Sequence, residues 1–322
     1  MALSSEIPPE ASPFLDEWLG GERWSASALR GDASVRGYYR VSDENGRTYM
    51  VAYYPQQLRN AVPRFLKAYE ALAPFARIPE VLRHCELAVA QLDVGDDTLF
   101  DLLHRDSAEG IRLYDKAVEM LVDLQGATSA RVLNPPFDEE KFLEELEMTS
   151  QFFVKELMGG TAWTLTMVHR AYERLAAQLV HHPYTLCHRD YHGQNIHLFY
   201  NQLYIIDYQD LRMGPDTYDL ASLLRDRGVA RLLGEAEEKR LLNYYAQLTG
   251  AHLDVRNRYF ETLLQRSIKI LGTFARQALT RGLDHYLEFI PATLESVRFC
   301  LRHLPEYEEL VAHFPLEYPR ST

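Results

Sequence analysis

Runs rich in Tyr and Val dominate the first part of the chain and predict a small antiparallel sheet. Two such runs occupy residues 35–41 and 48–54, and Asn45-Gly46 lies between them. Asn-Gly between two apolar runs is a strong hairpin signal, because both residues tolerate a positive φ. With the shorter apolar runs further on, the sequence predicts that residues 22–93 form mostly strands.

Helical spacing of apolar residues takes over in the rest of the chain. One helix already interrupts the strands, with apolar positions at Val62, Phe65, Leu66, Tyr69 and Leu72. Longer helical repeats occupy residues 98–103, 111–124, 142–158, 161–179 and about 216–310. Short β-like runs around a polar loop at residues 184–210 break this pattern, so we expect a second, smaller β region inside the helical part.

This change of pattern predicts an α+β protein with two lobes, a small β-rich N-terminal lobe and a large α-helical C-terminal lobe. We expect the boundary after residue 94, which gives lobes of residues 1–94 and 95–322. At roughly 150 residues per domain, the length suits about two such units. A cleft between two lobes is a common binding site for a small molecule.

The charge balance argues against some classes of binding partner, and the cysteines argue against a fold held by disulfides. The chain has 34 Lys plus Arg against 46 Asp plus Glu and no basic block, which argues against nucleic acid or an anionic membrane as a partner. Cys85, Cys187 and Cys300 lie far apart, which argues against a disulfide scaffold. With no signal-like N-terminus and no apolar stretch of about 20 residues, we expect a cytoplasmic protein. No obligate protein partner is evident from the sequence.

The polar loop near residue 190 carries the most informative motif. It has the pattern H-x-D-x-x-x-x-N from His188 to Asn195, and an apolar strand ending at Asp207 follows. Phosphoryl transfer needs a carboxylate beside the acceptor hydroxyl and hard oxygen ligands for Mg²⁺. We therefore predict Asp190 as the catalytic base and Asn195 and Asp207 as Mg²⁺ ligands. We interpret His188 as a structural residue that organises the loop through hydrogen bonds.

These segments resemble the aminoglycoside phosphotransferase/choline kinase branch of the protein-kinase-like fold. Residues 206–226 and 31–40, with weaker support from 142–153, resemble more narrowly the anomeric N-acetylmuramate/N-acetylglucosamine kinases of cell-wall recycling. The resemblance implies a nucleotide-binding N-terminal lobe, a catalytic and substrate-binding C-terminal lobe, and ATP and Mg²⁺ as cofactors. It also implies transfer of phosphate to a sugar hydroxyl, with the anomeric hydroxyl of an N-acetylated amino sugar as the acceptor.

The same resemblance assigns roles to further residues. Asp219 would be the buried carboxylate that braces the catalytic loop through its backbone. The residues that would cover the ATP phosphates are Gly31, Asp32, Ala33 and Ser34. The residues that would form the hinge beside adenine are Gln91, Leu92 and Asp93.

One departure concerns the strand that carries a phosphate-binding Lys in kinases. Residues 50–54 read Met-Val-Ala-Tyr-Tyr, without a Lys, and the anomeric sugar kinases are similar in lacking it. Arg36 or Arg40 would supply the missing positive charge. A second departure is Gly193-Gln194, where the resemblance leads us to expect Ser-Arg. The resemblance therefore determines the identity of the acceptor less narrowly.

Fewer sequence signals identify the residues of the acceptor pocket. The residues predicted to contact the acceptor are Tyr191, His192, Glu145, Asp216 and Arg225, with a solvated position as the alternative for Glu145. Two other functions stay open from the sequence. One is a kinase of another small alcohol, such as an aminoglycoside, choline or homoserine. The other is a catalytically silent nucleotide-binding module.

Overall fold

The computed structural model describes residues 7–20, 24–29, 36–127, 134–251 and 254–319. The predicted phosphate-covering residues Gly31, Asp32, Ala33 and Ser34 lie outside this set. In the described part, no helix is both long enough and apolar enough to cross a bilayer.

A five-stranded antiparallel sheet forms the core of the N-terminal lobe, with the strand order β1-β2-β3-β5-β4. The strands are β1 (Ser25–Leu29), β2 (Gly37–Ser42), β3 (Thr48–Tyr53), β4 (Val81–His84) and β5 (Ala88–Leu92). Two helices accompany the sheet, α1 (Ser12–Leu19) before it and α2 (Ala61–Leu72) between β3 and β4. The helix α1 was missed from the sequence, because its eight residues show too short a repeat to stand out.

The predicted hairpin joins β2 and β3, but its turn is longer than a two-residue loop. The carboxylate of Asp43 accepts hydrogen bonds from the backbone N–H groups of Asn45 at 2.8 Å and Arg47 at 2.9 Å. Gly46 takes a positive φ of 76° at the end of this turn. An Asx-type turn closed by a left-handed glycine therefore connects the two strands of the predicted hairpin.

Helices build most of the C-terminal lobe. They are α3 (Leu99–Arg105), α4 (Ser107–Gln125), α5 (Glu139–Thr149), α6 (Ala162–Leu179), α7 (Tyr218–Arg225), α8 (Ala230–Thr249), α9 (Val255–Arg281), α10 (Ile290–Leu301) and α11 (Glu308–His313). The long helix α9 packs against α5, α7 and α10, so it forms the centre of this lobe. The single helix predicted over residues 142–158 is in fact α5 followed by a wider π-helical segment, Ser150–Leu157.

Two short strand pairs interrupt the helices where the sequence predicts β structure. Strand β6 (Tyr184–Cys187) pairs with β9 (Arg212–Pro215), and β7 (Ile196–Phe199) forms a hairpin with β8 (Gln202–Ile205). The H-x-D-x-x-x-x-N motif spans the loop between β6 and β7, and Asp207 follows β8 by two residues. The two pairs thus bring the motif and Asp207 to the same side of the lobe. The exact division after residue 94 stays a prediction.

Candidate active site

A cavity of about 550 Å³ lies between the sheet and the helical lobe. The sequence-predicted residues that line it are Arg36, Gln91, Leu92, Asp93, Asp190, His192, Asn195 and Asp207. Apolar residues of β3 and β5, including Met50, Ala52 and Leu92, line its N-terminal side. The motif, Asp207 and the predicted hinge therefore share one cleft. Gln91 of the hinge and Tyr208, the residue after Asp207, are hydrogen-bonded although they are 117 residues apart in the chain.

The loop that carries the motif, residues 188–195, is held by a buried carboxylate below it. Asp219, in the first turn of α7, accepts hydrogen bonds from the backbone N–H of His188 at 2.6 Å and of Arg189 at 2.9 Å. Burial raises the pKa of Asp219, against the effect of His188 and these N–H donors. Arg189 has a positive φ of 80°, a costly conformation for a residue with a side chain. The two bonds stabilise this strained turn just before Asp190.

His188 links the same loop to the strand that precedes Asp207. Its imidazole Nε2 lies 3.0 Å from the carbonyl oxygen of Ile206, and its Nδ1 accepts a hydrogen bond from the backbone N–H of Asp190 at 3.3 Å. The ring is fully buried and does not line the cavity. It therefore fixes the spacing between the loop and β8, and it has no path to a bound acceptor.

Positively charged residues of α9 lower the pKa of Asp190. Burial works against its carboxylate, but the positive charges of Lys269 and Arg266 outweigh burial and hold the pKa of Asp190 below its usual value. Arg266 is almost fully buried and donates to the carbonyl oxygen of Arg189 at 2.9 Å. Asp190 is therefore ionised and fixed in place, as a group that accepts a proton from an acidic hydroxyl must be.

Asn195 and Asp207 line the same cleft as Asp190, and each carries a side-chain oxygen that can bind a metal. The amide nitrogen of Asn195 donates to the carbonyl oxygen of Asp190 at 2.9 Å, which leaves its amide oxygen as the atom available to a metal. Asp207 has a positive φ of 61°, and the Gln209 amide donates to its Oδ1 at 2.9 Å. One amide oxygen and one carboxylate fit Mg²⁺, which keeps waters and takes substrate phosphates as its other ligands. No cluster of three or more His, Cys, Asp and Glu occurs in the described ranges.

The two candidate arginines for the missing Lys lie in different surroundings. The guanidinium of Arg36 lines the cavity and lies 3.6 Å from Oδ1 of Asp207. Arg40 instead makes four hydrogen bonds, two with Asp93 at 2.7 and 3.2 Å and two with Asp96 at 2.8 and 2.7 Å. The structure thus corrects the prediction for Arg40, because its guanidinium ties β2 to the hinge and does not line the cleft.

The predicted hinge residues line the cleft, and two of them also bind other residues of the protein. The amide of Gln91 donates to the hydroxyl of Tyr208 at 3.0 Å, which connects β5 to the residue after Asp207. The Asp93 carboxylate is buried and accepts the Gly95 N–H at 3.0 Å besides its bonds from Arg40. Only the backbone of Asp93 is therefore left to meet a ligand in the cavity.

His192 lines the cavity next to Asp190. Burial lowers the pKa of its imidazole to about 4, so the ring is neutral at physiological pH. Its Nδ1 has no hydrogen-bond partner among the described residues. Nδ1 is buried, so only the part of the ring that lines the cavity is in a position to contact a polar ligand.

Four residues predicted to contact the acceptor are buried outside the cavity, which corrects those predictions. The Tyr191 hydroxyl donates to the carbonyl oxygen of Ala117 at 2.7 Å. The other three are held in ion pairs, Glu145 with Arg189 at 3.2 Å, Asp216 with Arg258 at 2.8 Å, and Arg225 with Glu238. Their polar groups stabilise the helical lobe. Proximity to the motif in the sequence was a poor guide for Tyr191, Asp216 and Arg225, and the resemblance was a poor guide for Glu145.

Residues far from the motif complete the site and were missed. Arg227 and Tyr286 line the cavity, and Arg266 and Lys269 act on Asp190 from α9. None of them belongs to a recognisable pattern. One signal in the sequence was that Arg266 and Lys269 lie within a helical repeat of apolar residues. Arg and Lys are seldom buried without a partner, so such residues are candidates for a functional or structural charge pair.

Solved structures establish the class of this fold. The ethanolamine kinase of Plasmodium vivax superposes with a TM-score of 0.68 at 11% identity, over 91% of this chain and 88% of that one. The ADP-bound aminoglycoside phosphotransferase APH(2″)-Ib gives 0.62 at 16% identity, over 90% and 99% of the two chains. The two-lobed, kinase-like α+β fold predicted from the sequence is confirmed.

Sequence comparison then establishes the family. The chain matches the phosphotransferase enzyme family over residues 25–259, and it belongs to that family. It is 30% identical over 298 residues to the N-acetylmuramate/N-acetylglucosamine kinase of Neisseria meningitidis serogroup B, covering 87% of each. It is 28% identical over 292 residues to the enzyme of that name from Pseudomonas aeruginosa, covering 87% of this chain and 84% of that one. The predicted family and the phosphotransferase class are both confirmed.

Proposed function

We propose that this protein transfers the γ-phosphoryl group of ATP to the anomeric hydroxyl of N-acetylmuramate or N-acetylglucosamine. The names of its relatives support the acceptor, and one observation supports the chemistry. A carboxylate with a lowered pKa, Asp190, lines the same cavity as the two oxygen donors Asn195 and Asp207. This set suits phosphoryl transfer, in which positioning and charge neutralisation do most of the work.

In the proposed reaction Asp190 orients the sugar hydroxyl and accepts its proton as the new O–P bond forms and ADP leaves. An anomeric hydroxyl is more acidic than an ordinary alcohol, so a carboxylate of low pKa suffices. Asn195 and Asp207 would hold Mg²⁺, which neutralises phosphate charge when bound. Arg36 would add positive charge at the phosphates, and neutral His192 would hydrogen-bond the sugar.

The hinge proposed for adenine consists of Gln91, Leu92 and Asp93, beside the apolar wall made by Met50 and Ala52. Gly31 to Ser34 remain proposed as the cover of the phosphates. We also propose a cytoplasmic location, since Cys85, Cys187 and Cys300 are unpaired and such thiols suit a reducing compartment. No obligate protein partner is part of the proposal.

The test is phosphorus and proton NMR of the products formed from N-acetylmuramate and N-acetylglucosamine with ATP and Mg²⁺. We expect a sugar 1-phosphate from at least one acceptor. Asp190→Asn should reduce kcat by roughly 10²- to 10⁴-fold with little change in ATP affinity, because it removes a base and keeps the shape. Asp115→Asn, at a surface ion pair with Arg240, is the matched control and should leave kcat unchanged.

Phosphorylation of choline or kanamycin without any amino-sugar product would overturn the proposed acceptor. Binding of ATP without transfer to any hydroxyl would instead favour a silent nucleotide-binding module. An Asp190→Asn variant as active as the wild type would contradict the assignment of the base.

A further inference from the structure

An arginine without a carboxylate partner lines the catalytic cavity. Arg227 lies in the turn after α7 and shares the cavity with Asp190, His192 and Tyr286. Its guanidinium carbon is 5.6 Å from the centroid of the Phe289 ring. None of the ion pairs or hydrogen bonds found in the described ranges involves the Arg227 side chain, which is half-buried.

The turn that carries Arg227 is fixed relative to the catalytic loop. The adjacent carboxylate, Asp226, is already bound by Arg266 at 2.6 Å and by the Ser222 hydroxyl at 2.6 Å. The same Arg266 guanidinium donates to the carbonyl oxygen of Arg189, next to Asp190, at 2.9 Å. Asp226 therefore does not neutralise Arg227, and one buried cation, Arg266, joins the turn that carries Arg227 to the loop that carries Asp190.

Arg227 and Arg36 line the cavity from different lobes. The apolar residues Met50, Ala52 and Leu92 line the end formed by the N-terminal lobe, where Arg36 faces Asp207 at 3.6 Å. Arg227, His192 and Tyr286 belong instead to the helical lobe. A guanidinium in a cleft, backed by an aromatic ring and without an internal counter-ion, suits a planar carboxylate, which it binds through two parallel hydrogen bonds.

We propose that Arg227 forms a carboxylate-binding subsite that recognises the lactyl carboxylate of N-acetylmuramate, an inference that rests on the proposed function. The lactyl ether is attached at C3 of the sugar, and the anomeric hydroxyl at C1 lies on the same ring. A sugar whose C1 hydroxyl faces Asp190 therefore carries this carboxylate towards the wall of the acceptor side. N-acetylglucosamine has only a hydroxyl at C3, so Arg227 contributes little to its binding.

The experiment compares kcat/KM for the two sugars in the wild type, Arg227→Gln and Arg227→Lys. Loss of a charge-assisted pair should lower kcat/KM for N-acetylmuramate by roughly 10- to 100-fold in Arg227→Gln, with less than about a threefold change for N-acetylglucosamine. Arg227→Lys should recover part of the loss, since it keeps the charge without the planar fork. The N-acetylmuramate methyl ester should be used equally well by the wild type and Arg227→Gln.

The retained activity on N-acetylglucosamine shows within the same experiment that the variant is folded. Arg231→Gln, at a surface ion pair with Glu295, is the matched control and should leave both ratios unchanged. Equal losses for both sugars, no loss for either, or a raised KM for ATP with both acceptors would overturn the subsite. A wild-type protein that binds Mg²⁺·ATP but phosphorylates neither sugar would overturn the proposed function and the subsite together. The change in kcat/KM for the two sugars in Arg227→Gln tests the subsite alone.

Discussion

At the scale of single residues, the contacts of each charged group decide what it can do in the cleft. Arg36 and Arg40 lie four positions apart and look equivalent in the sequence. Arg36 reaches the cavity and Asp207, whereas Arg40 is bound by Asp93 and Asp96. Arg40 would have to give up four hydrogen bonds to two carboxylates before it could meet a phosphate, whereas Arg36 already lines the cavity.

Arg36→Met and Arg40→Met should therefore have different effects. Arg36→Met should raise KM for ATP by roughly tenfold, the effect of about one charge-assisted hydrogen bond. Arg40→Met should leave KM for ATP nearly unchanged but reduce the free energy of unfolding by about 1–3 kcal/mol, because it leaves the buried Asp93 carboxylate without its cation. Steady-state kinetics and urea unfolding of both variants check this. A larger effect of Arg40→Met on KM would contradict it.

Glu145 provides a pH-dependent test at the same scale. Burial opposes its charge, but Lys269 and Arg189 outweigh burial and keep the pKa of Glu145 below its usual value near 4.5. A carboxyl group with a lowered pKa stabilises the fold above that usual value, and the contribution is lost as the pH falls through the pKa of the folded state.

Glu145→Gln should thus reduce the free energy of unfolding by about 3–5 kcal/mol at pH 7, since it leaves buried cations without their partner. The difference from the wild type should narrow below about pH 4.5, where the wild type also loses the charge. Denaturant unfolding from pH 7 to pH 3.5 measures this. Glu140→Gln, an exposed change on the same helix, is the control. A difference that is constant over this pH range would sink the explanation.

At the scale of secondary-structure elements, the close packing of α9 against α5 supports the loop of residues 188–195 from below. The Thr149 hydroxyl on α5 donates to the carbonyl oxygen of Ile268 on α9 at 2.7 Å. From the same helix, Gln265 donates to Glu145 at 3.1 Å, and Arg266 reaches the catalytic loop. The close contact depends on Gly272, because a Cβ there would lie 2.7 Å from the backbone nitrogen of Thr149.

Gly272→Ala should destabilise the protein by about 1–3 kcal/mol through overpacking against the α5 backbone. In an open helical position the same change would stabilise the helix by about 1 kcal/mol, so the sign of the effect is decisive. Urea unfolding measures it. Thr273→Ala, the neighbouring half-buried position on α9, is the control and should change the stability by about 0.5 kcal/mol or less. A stabilised Gly272→Ala variant would show that the helices can separate freely.

At the scale of the whole molecule, the cleft joins residues from both lobes. Arg36, Gln91 and Met50 come from the sheet region, whereas Asp190 and Asp207 come from the helical lobe. A nucleotide that bridges these surfaces binds only the folded arrangement, and such a ligand stabilises a protein by mass action.

ADP with Mg²⁺ should therefore stabilise the protein by about 2.7 kcal/mol at a concentration one hundred times its Kd. EDTA should remove most of the rise in Tm, and Asp207→Asn should lose the same metal-dependent part because it removes the only proposed carboxylate ligand. Differential scanning fluorimetry with and without Mg²⁺ measures both, and Asp115→Asn provides the control. An equal rise in Tm with EDTA would argue against a metal held by Asn195 and Asp207.

Patterns within short stretches of sequence determined a large part of this protein. The β2–β3 hairpin follows from Asn45-Gly46, and the helical lobe follows from repeats of apolar residues, since both depend on neighbours along the chain. The spacing of Asp190, Asn195 and Asp207 indicated phosphoryl transfer, because that chemistry needs few groups of fixed type. The family comparison confirmed the class to which this motif belongs.

Tertiary packing decided which of the remaining charged residues face the cleft. Tyr191 and His192 are adjacent in the chain, yet the first is buried against Ala117 and the second lines the cavity. Arg225 and Arg227 are two positions apart, yet the first is paired with Glu238 and the second lines the cavity. Such choices depend on partners tens of residues away, which desolvate one charge and neutralise another. Local sequence periodicity carries no information about those partners.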